Sequence, residues 1–157
     1  MNFVSVLSLR CLSKMSKKNT VIQLTKIQIT IRLILGLFFC LAGISHLTFQ
    51  RTAFLAQVPN WVPMQANMVV IISGVVEIIL GVSLLILPKY RVTIGWIVAL
   101  FLVAVFPGNI AQLINRKDAF GLNSDLLRWL RLPFQPILIL LVLWSTGAWA
   151  NWRNSKN

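Results

Sequence analysis

The chain has 157 residues, of which 57% are hydrophobic and only 11% charged, whereas an average soluble domain is roughly 25% charged. So few charges would not cover a soluble surface, and the composition favours lipid as the solvent. Fifteen Lys and Arg against three acids give a net charge of +12, but the cations lie in the N-terminal tail and at the ends of apolar runs. That distribution is typical of a membrane protein, and the basic stretch lacks the interleaved aromatic residues and motifs of a nucleic-acid-binding protein, so no nucleic-acid partner is expected.

Residues 1–26 form a basic tail without acids. Its apolar stretch is too short for a secretory signal and is followed directly by cations. An organelle transit peptide is one alternative. Another is translation from Met15, which would leave only a short basic tail.

Four apolar runs follow the tail, at 27–47, 68–87, 92–106 and 132–150. Each is near the ~20 residues that a tilted helix needs to cross the hydrocarbon, although the third reaches that length only from Arg91 to Ile110. Backbone groups in lipid must be satisfied internally. We therefore predict an all-α fold in which residues 27–150 form a bundle of four transmembrane helices, followed by a short polar tail at 151–157.

The Lys and Arg residues also predict an orientation. If the chain crosses the membrane four times, ten of the fifteen Lys and Arg residues lie on one side. They belong to the tail through Arg32, the 89–91 turn and the C-terminal tail. We therefore expect both termini in the cytoplasm of a multi-pass protein, in the plasma or inner membrane of a prokaryote. The fairly apolar segment 119–130 is expected to lie flat on the membrane or to fold over the mouth of the bundle.

Small and polar residues share one stripe on each of the first two runs. Small residues at helical spacing let membrane helices approach closely, and lipid would not tolerate a carboxyl group, so both stripes are expected to face the interior. The packing glycines are Gly36, Gly43, Gly74 and Gly81, and the stripes also carry Arg32, His46 and Glu77.

These polar residues are expected in two layers. Counted from the outer ends of their apolar runs, the depths of Arg32 and Glu77 in the membrane differ by about 9 Å. Two long side chains can together span that distance, so a deep Arg32–Glu77 pair is predicted. Glu77 is also a candidate titrating group, because an intramembrane carboxyl is costly unless it is neutralised or paired. An outer polar cluster is expected to contain His46, Asn109, Arg131 and Gln135.

Each candidate also has a simpler interpretation. Arg32 could snorkel to the headgroups, His46 could be an ordinary interfacial histidine, and Asn109 could cap a helix after Pro107 and Gly108. The sequence has no nucleophile triad or phosphate-binding loop, and its single histidine excludes a multi-His metal site within one chain. Cys11 and Cys40 form no CxxC pair. No metal site is expected, and a redox role would need a bound cofactor or a partner.

Five sequence fragments follow one another along the chain: Arg32-x3-Gly36 with Ala42-Gly43-x2-His46, Pro59-x-Trp61-x-Pro63, Ser73-Gly74-x2-Glu77-x3-Gly81, Phe106-Pro107-Gly108-Asn109-Ile110 and Arg131-Leu132-Pro133-x-Gln135. In this order they resemble the DoxX-like membrane proteins. The resemblance extends from Arg32 to about Trp144 and implies a four-helix membrane protein. The family is named after a small subunit of a thiosulfate:quinone oxidoreductase, and other members are linked with membrane oxidoreductases.

Three functions follow as hypotheses. The first is an accessory membrane subunit that binds a redox partner or a second copy of itself and offers quinone a polar niche near His46. The second is a small transporter or proton-conducting protein that uses Glu77. The third is a structural or assembly protein in which Arg32 and Glu77 lock two helices.

Overall fold

The computed structural model describes residues 22–115 and 125–156. Three predictions concern residues outside these ranges. They are those for the basic tail before residue 22, for Cys11, and for the part of the 119–130 segment that ends at residue 124. The described residues contain helices and no strand, which confirms the predicted all-α fold for this part of the chain. The helices are α1 Lys26–Leu47, α2 Arg51–Leu55, α3 Ala66–Ile86, α4 Arg91–Ile114, α5 Asp125–Ser145 and α6 Ala148–Lys156, with a 3₁₀ turn at Pro88–Tyr90.

Within the described residues, three segments are long and apolar enough to cross a membrane: Lys26–Leu47, Ala66–Ile86 and Pro88–Ile114. The chain bends by 68° between Leu132–Ser145 and Ala148–Lys156, and this bent pair makes a fourth span if it is counted as one. Three or four such helices are compatible with a multi-pass membrane protein.

The outer surfaces of the long helices are apolar. Leu41 on α1, Ile79 on α3, Leu100 on α4 and Leu140 on α5 are each more than half exposed. Contiguous apolar surface of this kind is unfavourable in water and suited to hydrocarbon. The helices bury a second apolar set against one another, made of Leu35, Phe39, Leu80, Leu84, Ile94, Val98, Leu102 and Val142.

Helices α1 and α3 pack closely through the four predicted glycines. A Cβ atom added at Gly43 would lie 2.5 Å from the carbonyl oxygen of Gly74, and one at Gly81 would lie 2.7 Å from that of Gly36. Only hydrogen atoms fit at these positions, so the two backbones approach as small residues allow in membrane helices. This register also fixes which residues of α1 and α3 lie at the same level.

Hydrogen bonds to backbone carbonyls connect three helices at one end of the molecule. Gln28 Nε2 donates to the carbonyl of Trp144 at 2.8 Å, and the Arg91 guanidinium donates to the carbonyl of Ile22. Gly147 adopts φ 73°, a left-handed conformation that glycine adopts without strain, where α5 gives way to α6. The beginnings of α1 and α4 and the end of α5 therefore lie together.

Some helix boundaries differ from the predictions. Helix α4 continues to Ile114, beyond the predicted end at Ile110, with Pro107 inside it; the proline leaves the carbonyl of Val103 without its helical donor. Near this proline, Gln135 of α5 donates to the carbonyl of Leu102 and so connects the two helices. Helix α5 begins at Asp125, before the predicted run at 132–150. The fourth run is interrupted after Ser145, and residues 151–156, predicted as a polar tail, continue α6.

Candidate functional site

A cavity of about 380 Å³ lies between α1, α3, α4 and α5, beside α2 and the loop that follows it. Its walls are mostly apolar and aromatic, with polar groups from several elements. Such a combination is typical of sites for small organic ligands, which occupy roughly 300–1,000 Å³. The aromatic walls are Phe38, Phe39, Phe54, Trp61 and Phe134, and the polar groups are His46, Gln57, Ser73, Glu77, Asn109 and Gln135.

His46 contacts two side chains of α3. Its Nδ1 lies 3.1 Å from Ser73 Oγ, and that hydroxyl donates to the carbonyl of Val70 at 3.0 Å. With the Ser73 hydroxyl donating to Val70, Ser73 Oγ is available as the acceptor for an Nδ1–H of His46, and the other ring nitrogen, Nε2, points to a second partner.

The Nε2 atom of His46 faces the carboxyl group of Glu77. Nε2 and Oε2 are 3.4 Å apart, and the two side chains are only 10% and 13% exposed. With Nδ1 protonated, one proton between these atoms gives either an imidazolium–carboxylate pair or a neutral pair. Among the described residues no donor makes a well-directed hydrogen bond to Oε2. A ligand hydroxyl or carbonyl in the cavity could thus interact with the pair.

The ring of Phe54 covers the other side of His46, with centroids 3.4 Å apart and planes inclined by 37°. Phe54 comes from the short helix α2, which the apolar runs did not predict. Phe54, Gln57 and Ser73 are site residues that the sequence analysis missed. Ser73 could have been found, because it precedes Glu77 by four residues and so shares its helix face. Phe54 and Gln57 carry no periodic signal.

Side-chain amides form a second polar group in the cavity wall. Gln57 Nε2 donates to Gln112 Oε1 at 2.9 Å and approaches Asn109 Oδ1 at 3.4 Å. Asn109 Nδ2 donates to Gln135 Oε1, and Gln135 Nε2 donates to the carbonyl of Leu102. Asn109 therefore lies inside α4 and joins it to α5, so the alternative role as a helix cap is wrong; the C-cap residue is Asn115.

The structure does not bring Arg32 to Glu77. The close approaches of Gly36 to Gly81 and of Gly43 to Gly74 place Glu77 about eight residues, or about 12 Å, from Arg32 along the helix axis. Instead of the predicted deep pair, Glu77 joins His46, Asn109 and Gln135 around one cavity. Arg32 is buried near the other end, and the Arg131 side chain lies outside what the structure describes.

The fold and cavity together define a class: a helical protein whose described residues include three or four apolar helices of membrane-spanning length around a mostly apolar cavity with several polar groups in its wall. Residues 35–146 match the family described as Domain of unknown function (DUF8561), and the chain belongs to this family. No curated protein and no solved structure matches the chain.

Proposed function

We propose that this protein is an integral membrane protein of the DoxX-like type, a four-helix bundle that binds a quinone-type ring in its cavity as an accessory subunit of a membrane oxidoreductase. Its termini lie in the cytoplasm. The observation that carries the proposal is the His46–Glu77 pair, whose Nε2 and Oε2 atoms lie 3.4 Å apart at the wall of an aromatic-lined cavity.

The chemistry of the cavity suits such a ligand. A quinone offers a flat apolar ring, for which Phe39, Phe54 and Phe134 provide surfaces, and carbonyl oxygens that accept hydrogen bonds. Reduction of a quinone consumes protons as well as electrons. His46 and Glu77 hold a proton at the cavity wall, and the electrons would come from the redox partner.

The orientation rests on the cations at the end where α1 begins. Lys26 and Lys89 lie at this end with the basic residues of α6, Arg153 and Lys156. The residues described at this end include no acid to balance them. The positive-inside rule therefore supports a cytoplasmic location for this end, which also contains the beginning of α1 and the whole of α6.

The proposal is tested by titrating the protein in lipid nanodiscs with decylubiquinone and following the quenching of tryptophan fluorescence, since Trp61 lines the cavity. We expect saturable quenching that weakens about tenfold in Glu77→Gln, because the neutral amide no longer stabilises a charged His46 ring as the donor to a quinone carbonyl, and a hydrogen bond from a charged group contributes about 1.5–3 kcal/mol. Leu100→Ala, on the exposed face of α4, is the matched control and should bind like wild type. Equal, non-saturable quenching in all three proteins would contradict quinone binding.

Proton conduction through Glu77 is less well supported. Between the level of Glu77 and that of the buried Arg32, the packed interior of the described residues consists of apolar side chains such as Leu35, Leu84 and Val98. A proton crossing the membrane needs a chain of polar groups or water along its path, and this core interrupts it. A pH-sensitive dye inside proteoliposomes tests this directly, and proton flux that Glu77→Gln abolishes would favour conduction over quinone binding.

A further inference from the structure

Arg32 is buried without a matching acceptor. Only 6% of its surface is exposed, and its Nε and Nη1 atoms have no hydrogen-bond partner among the described residues. A guanidinium group is always charged in proteins, and burying it unpaired is strongly unfavourable. A counter-charge is therefore required near Arg32, whatever the cavity at His46 binds.

The surroundings of Arg32 add positive charge. Arg91 lies at the same end of the molecule, where its guanidinium donates to the carbonyl of Ile22, and it adds a second positive charge there. The chain has three acids. Glu77 lies beside His46, Asp125 begins α5 at the opposite end from Trp144, and Asp118 is outside the described residues. No described carboxylate balances the two arginines.

The same end has features of the headgroup layer of a membrane. Helix α6 turns by 68° from α5 and carries Trp149 and Trp152, both partly exposed, with the Lys156 ammonium 4.0 Å from the Trp152 ring centroid. Tryptophan and lysine concentrate at this level, where lipid phosphates lie. Arg32 is six residues after the start of α1, about 9 Å along the helix, within reach of that layer by its long side chain.

We propose that Arg32 and Arg91 form a binding site for a phosphate group at this end of the bundle. Guanidinium groups bind phosphate through paired N–H donors, and two arginines together match its charge. The phosphate can belong to an anionic phospholipid headgroup or be free in solution. Both sources supply the same oxygens.

The test uses the full chain and two probes. Native mass spectrometry counts retained phosphatidylglycerol after exchange into phosphatidylcholine, and thermal unfolding is followed with added phosphatidylglycerol or inorganic phosphate. We expect Arg32→Gln to weaken binding roughly 10- to 100-fold, the range for losing charge-assisted hydrogen bonds. Arg153→Gln removes an exposed cation at the same end and should bind like wild type. Stabilisation by the lipid alone identifies a headgroup, and stabilisation by inorganic phosphate identifies a soluble ligand.

A second comparison covers the case in which Arg32→Gln folds poorly. Arg32→Leu removes the unpaired charge, so without either probe it should unfold at a higher temperature than wild type, and added probe should reverse the order. Failure of both probes to stabilise wild type, or equal loss in Arg32→Gln and Arg153→Gln, would overturn the proposal.

Discussion

Glu77 Oε2 lies 3.4 Å from His46 Nε2, and the close approach of α1 to α3 at their glycines is what places the two side chains together. The contact between Gly43 and Gly74 places His46 beside Gly74 and Ser73, one helical turn along α3 from Glu77. The carboxyl group is therefore oriented toward the cavity and not along the helix toward Arg32.

This contact predicts energetic coupling between the two side chains. In a double-mutant cycle, Glu77→Gln and His46→Asn should show an interaction free energy of roughly 0.5–3 kcal/mol, because each variant removes one half of the same contact. The free energy of unfolding, measured by denaturant titration in micelles, provides the readout. The matched cycle of Glu77→Gln with Arg32→Gln should be additive within about 0.5 kcal/mol. The reverse pattern would support the Arg32–Glu77 pair instead.

Gly43→Ala should be among the most destabilising small changes in the protein. The added methyl group would lie 2.5 Å from the Gly74 carbonyl oxygen and 2.7 Å from Ile78 Cγ1, so α1 and α3 must separate. Overpacking of this kind costs about 1–3 kcal/mol. A melting curve gives the result, with Leu41→Ala on the exposed face of α1 as the control. An unchanged melting temperature in Gly43→Ala would show that the helices are not held this closely.

Gln135→Leu should destabilise the packing of α4 against α5. The substitution keeps the apolar volume but leaves the Asn109 amide and the Leu102 carbonyl without this partner. Loss of a partner for buried polar groups costs about 1–3 kcal/mol. Gln65→Leu, at an exposed position with no side-chain capping bond, is the matched control. The free energies of unfolding of both variants are measured by chemical denaturation. Equal values would contradict a structural role for Gln135.

Thr25→Ala should loosen the beginning of α1. Thr25 accepts from the backbone N–H of Gln28, and the Gln28 side chain accepts from the Thr25 N–H, which forms a capping box. Loss of the hydroxyl is expected to cost about 1 kcal/mol. Faster amide hydrogen exchange at residues 26–29 would report it, whereas Thr52→Ala, exposed on α2, should leave this exchange unchanged. Identical exchange in Thr25→Ala would rule out the cap as a determinant of this end.

The helices were largely predictable from the sequence, because the need to satisfy backbone groups in lipid leaves few alternatives for long apolar runs. The ends were less so. Helix α4 was predicted to end at Ile110 but continues to Ile114. Its last turns carry Asn109 and Gln112, which bond to Gln135 of α5 and to Gln57. Partners so distant in sequence are not visible in local propensity.

The site was predicted in its residues more than in its contacts. One cavity is lined by four of the predicted residues, His46, Glu77, Asn109 and Gln135. The prediction that Glu77 pairs with Arg32 came from measuring depth from the ends of the apolar runs, and it is wrong. The error lies in the register: the glycine contacts, and not the run ends, decide which levels of α1 and α3 meet. Phe54 reaches His46 from a five-residue helix that no periodic pattern marks.

The weakness of α2 has a kinetic consequence. This helix has five residues, no side-chain cap at its beginning and no fully buried residue, yet Phe54 and, just after it, Gln57 and Val58 form part of the cavity wall. Short segments with little burial open at low free-energy cost while long packed helices stay intact. The residence time of a quinone bound in the cavity should therefore depend on how often α2 opens. Variants in α2 are expected to change the dissociation rate of the quinone more than the specificity of the cavity.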